Sequence, residues 1–63
     1  MFEQAILAEQ FRALLAKEQQ AARIYTDLEA KAPDPDFRRE VGQLLREKQR
    51  HIELAQRLLE IVQ

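Results

Sequence analysis

Apolar residues recur along this chain at alternating spacings of three and four. In the first half Leu7, Phe11, Leu14, Ala21, Tyr25 and Leu28 form one such series, interrupted only by Glu18. In the second half Phe37, Val41, Leu44, Ala55, Leu58 and Val62 form another, and Lys48 and His51 occupy the two places missing from it. A repeat of about 3.5 residues is that of a helix burying one face. The pattern therefore predicts two helices whose inward faces carry a carboxylate, an ammonium and an imidazole.

From about residue 2 to residue 31 every residue tolerates helical geometry and no glycine or proline intervenes. Ala8, Leu15 and Ala22 widen the apolar stripe on one side and Ile24 on the other, which suits a bundle helix better than a two-stranded coiled coil. Asp27 and Lys31 are spaced as a favourable i,i+4 pair near its end. The segment Ala32-Pro33-Asp34-Pro35-Asp36 then breaks the pattern, because proline removes a backbone donor and biases the residue before it away from the helix. The loop is placed at residues 32–36. Asp34 reads as an N-cap, Pro35 as the first helical position, and Asp36 as a negative charge suited to the helix dipole. The second helix is expected over about residues 35–62. Gly42 lies off its central seam and reads as a tolerated glycine, costing about 1 kcal/mol relative to alanine.

Two long helices joined by so short a loop lie antiparallel, so the expected fold class is all-α, with residues 1–63 forming one hairpin. If the loop centre lies at about position 34.5, residues whose numbers sum to roughly 69 are level, given the rise per residue. That pairs Leu14 with Ala55, Tyr25 with Leu44, and Glu18 with His51. The last pair then lies about 25 Å from the loop, with Lys48 one turn nearer to it. One neighbour cannot cover so broad a stripe, and a second copy related by a two-fold axis is expected to close a four-helix bundle. Two copies each of Glu18, Lys48 and His51 would share its central layer.

Composition supports self-association and narrows the chemistry. At 63 residues the chain is shorter than the roughly 70–80 that usually sustain a core unaided. It has no cysteine, which excludes disulfides, thiolate zinc sites and thiol catalysis. A metal or a partner chain remains as the supplement, and the lack of cysteine fits a cytoplasmic location. Ten basic residues against eleven acidic ones give no field that favours nucleic acid or anionic lipid. Basic and acidic residues alternate from Arg38 to Glu60, the pattern of a solvated face. The run Ala5-Ile6-Leu7-Ala8 is too short to span a membrane, and the first residues lack the features of a secretory signal. Neither a glycine-rich phosphate loop nor any serine is present for nucleotide or serine-nucleophile chemistry.

A carboxylate on one helix and a histidine level with it on the next, duplicated in a bundle, is the layout of a dinuclear carboxylate metal site. Such sites add a Glu-x-x-His pair, with both ligands on one face of the histidine helix. Here the residue three before His51 is Lys48. Glu47, four before it, completes a variant ligand set of Glu18, Glu47 and His51. By itself His51 is more often a hydrogen-bonded interior histidine than a ligand, and Tyr25 more often a core tyrosine with its hydroxyl bonded to a neighbour.

The segment Lys17-Glu18-Gln19-Gln20-Ala21-Ala22-Arg23-Ile24-Tyr25, together with Glu47-Lys48-Gln49-Arg50-His51-Ile52-Glu53-Leu54, resembles half of a ferritin-like protein. The resemblance is greatest to the rubrerythrin and encapsulated-ferritin branches and runs from about Leu7 to Leu59. It implies metal-ligand roles for Glu18 and His51, a place near the site for Tyr25, and iron oxidation or peroxide and oxygen chemistry at two irons. It also implies a bridging carboxylate at position 48, where this chain has lysine. Two functions are therefore expected: an iron-binding, ferroxidase-like protein, or a metal-free assembly or partner-binding module. In the second, Lys48 neutralises Glu18 and supplies the charge that iron would have supplied.

Overall fold

The computed structural model describes residues 2–63, with the backbone alone for Phe2; Met1 lies outside the described residues. The chain folds as two helices, α1 (Phe2–Lys31) and α2 (Pro35–Val62), laid side by side in a hairpin of 50 × 14 × 10 Å. Neither helix is long and apolar enough to cross a membrane.

The turn follows from local chemistry. Asp34 has extended backbone geometry (φ −91°, ψ 124°) and its carboxylate accepts a bond from the Asp36 amide at 3.1 Å, capping α2. Pro35 and Asp36 are already helical, so the connection is shorter than the expected 32–36 segment. Arg38 reaches back from the first turn of α2, and its Nη2 donates to the Ala32 carbonyl at 2.6 Å, satisfying an acceptor beyond the end of α1. Asp27 and Lys31 pair at 2.9 Å on the exposed surface, where such a bond contributes little.

Each apolar stripe is three rows wide, and the hairpin covers only two of the rows. The centre rows are Phe11, Glu18 and Tyr25 on α1 and Val41, Lys48, Ala55 and Val62 on α2. These are buried or half-buried, as are the inner rows of Ala8, Leu15 and Ala22 against Leu45, Ile52 and Leu59. The outer rows are largely exposed. Leu7, Leu14 and Leu28 on α1, and Phe37, Leu44 and His51 on α2, face water, although their spacing predicts core positions.

This corrects the expected seam: the inner row, read from the sequence as a widening of the stripe, is the row that closes the hairpin. Its small side chains explain the choice. Ala8 and Ala22, with Ala55 on the centre row opposite, let the helices approach, whereas a leucine at each of these positions would hold them apart. Gly42 is buried beside this seam. Its nearest neighbour is the end of a flexible side chain: an added Cβ would lie 2.6 Å from Glu29 Oε2.

The resulting core is thin. Among the described residues Ala8, Ala32, Val41 and Ala55 are the buried apolar residues, and no large side chain is fully buried. Most of the exposed apolar surface lies on one side, with Ile6 the exception. Besides the outer-row residues, Ile24, Leu54 and Ile61 are exposed in the positions immediately next to that row.

Candidate functional site

Glu18 is on the centre row of α1, half-way along the hairpin, and the antiparallel register brings two turns of α2 against it. Lys48 Nζ and His51 Nδ1 each lie 3.4 Å from the same oxygen, Glu18 Oε2. The Glu18–His51 contact agrees with the levels expected from the loop position. Lys48, one turn nearer the loop, reaches the carboxylate along its flexible stem.

Burial separates the roles of the three. The Glu18 side chain is 16% exposed and Lys48 27%, whereas His51 is 54% exposed because it stands on the outer row. A carboxylate so enclosed is costly without compensating charge, and Lys48 supplies it at close range. The compensation is incomplete in one respect. Glu18 Oε2 is buried yet has no hydrogen-bond partner, so the Lys48 ammonium and the His51 imidazole approach it to 3.4 Å without satisfying its lone pairs.

Beside this cluster an open groove of about 220 Å³ is lined by Leu14, Glu18, His51, Leu54 and Leu58. Its walls are apolar on both helices, and Glu18 and His51 are its ionisable lining residues. Leu54 is the groove residue that the 3-4 series leaves out. The signal was available seven residues apart, since Leu54 and Ile61 interrupt the row that begins with Glu40 and Glu47.

The other candidates stand apart. Tyr25 is half-buried on the Glu18 row but seven residues, or about 10 Å of helix rise, closer to the loop. Glu47 is exposed, beside the outer row. Among the described residues no group of three or more histidine, aspartate or glutamate side chains is arranged to hold a metal ion. Within one hairpin, the two side chains of the expected ligand set that converge do so with an ammonium against the same oxygen. That arrangement does not fit an iron site contained in a single chain, because the Lys48 ammonium stands 3.4 Å from Oε2, where a metal would have to bind.

No family model, no curated protein and no solved structure matches this chain.

Proposed function

We propose that this chain is a ferritin-like helical hairpin acting as a metal-free assembly module. In this reading it pairs with a second copy into a four-helix bundle, with Lys48 holding the positive charge of the polar layer. The observation that carries the reading is the 3.4 Å approach of Lys48 Nζ to Glu18 Oε2, both side chains largely enclosed. A bound metal needs its carboxylates free of competing cations, and here the cation is built into the chain. The thin core and the uncovered outer rows support the pairing, since a chain this short gains most of its stability from what covers it.

A second reading, an iron-binding and ferroxidase-like site completed on dimerisation, is favoured by His51 Nδ1 at 3.4 Å from Glu18 Oε2. Metal analysis separates the two. After anaerobic addition of iron(II) and desalting, the metal-free reading expects substoichiometric iron that does not change in Glu18→Ala. Stoichiometric iron lost in Glu18→Ala would establish the second reading. Lys48→Glu, which replaces the competing cation with a carboxylate, is expected to raise iron(II) affinity in a chain that keeps its helicity.

A further inference from the structure

The uncovered face has a definite extent, position and charge. A compact protein of 7.4 kDa exposes about 4,200 Å². The hairpin exposes 5040 Å², an excess of about 800 Å² that matches one partner's share of a standard interface. The exposed apolar residues concentrate on one side of the molecule. The groove lined by Glu18 and His51 opens on the same side, and the polar cluster lies about 25 Å from the loop in a molecule 50 Å long. Any two-fold that overlaps the two faces completely therefore superposes the two polar layers.

The charges choose between the two ways of doing this. Setting α1 against the second copy's α1 would place Glu18 opposite Glu18. Setting α1 against the second copy's α2 places Glu18 opposite a basic layer. The rows edging the face agree: between the centre and the loop, α1 carries Lys31 while α2 carries Glu40 and Glu47, a match only when unlike helices meet.

The geometry points to a homodimer formed through the outer rows, with α1 of each copy against α2 of the other and both loops at the same end. In it the exposed His51 of each copy enters the polar layer beside the second copy's Glu18 and Lys48. This deepens the assembly reading by naming the face and the layer that fix its register.

The experiment uses the full chain in excess chelator, with helicity checked by circular dichroism and mass by sedimentation equilibrium. Leu44→Glu, on the exposed outer row, is expected to weaken the dimer on the order of 100-fold by burying an unpaired charge, while the same substitution at Gln20, on the far side of α1, leaves it unchanged. Glu18→Lys and Lys48→Glu chains should each dimerise poorly, and a 1:1 mixture should form the heterodimer. Spin labels at Ala30→Cys should lie near one another across the dimer, within about 25 Å. Unchanged dimerisation in Leu44→Glu, no heterodimer on mixing, or labels on the order of 40 Å apart would overturn the inference. A wild-type chain that dimerises only after iron(II) is added would instead overturn the metal-free reading and leave the face intact.

Discussion

The inner and outer rows of the two helices have nearly the same hydrophobicity and opposite fates. Leu15, Ile52 and Leu59 pack between the helices, whereas Leu14, Leu28 and Leu44 face water. What separates them is side-chain size next to them rather than polarity. The inner rows are interspersed with Ala8 and Ala22 and oppose Ala55, so two helices can close there. The outer rows are leucine-rich and carry His51 at their middle. A stripe three rows wide has room for two neighbours, and the hairpin supplies only one. The polar cluster spans the boundary between them: Glu18 and Lys48 lie on the centre rows, and His51 lies on the exposed outer row.

The largest expected effect lies on the centre row of α2. Val41→Asp puts a charge at a position only 3% exposed and is expected to cost about 4 kcal/mol, abolishing the cooperative thermal transition. Lys48→Ala leaves Glu18 without its closest cation. Because both side chains retain some solvent contact, the expected loss is roughly 2 kcal/mol, less than for a fully enclosed pair, and denaturant melts will measure it. Leu15→Ala and Leu14→Ala test the rows against each other. At concentrations where the chain is monomeric, the inner-row change should cost about 2 kcal/mol and the outer-row change less than about 0.5 kcal/mol. Equal costs would mean that the rows are not distinct. The smallest expected effect is a gain. Gly42→Ala should stabilise the hairpin by up to about 1 kcal/mol in thermal melts, since the added methyl displaces only the mobile end of Glu29.

The two helices and their turn were legible in the sequence because single residues enforce them. Pro33 and Pro35 forbid a continuous helix, Asp34 caps the second one, and the expected all-helical hairpin is what the structure shows. The meeting of Glu18 with His51 was legible too, because a short loop fixes which residues are level. The row that closes the hairpin was not. Periodicity locates the middle of a stripe, and the choice between its edges depends on how closely two backbones can approach, which Ala8 and Ala22 decide only against a particular opposing surface. For the same reason Leu54 escaped the series although it lines the groove. Lys48 was legible as a departure from a metal-ligand pattern, and its contact with Glu18 Oε2 gives that departure a physical role.

On the proposal above, a second copy covers the outer rows without the help of metal. Sedimentation equilibrium of chelator-treated wild-type protein at micromolar concentration tests it most directly. A mass twice that of the chain is expected, and a monomer under those conditions would rule out the proposed pairing.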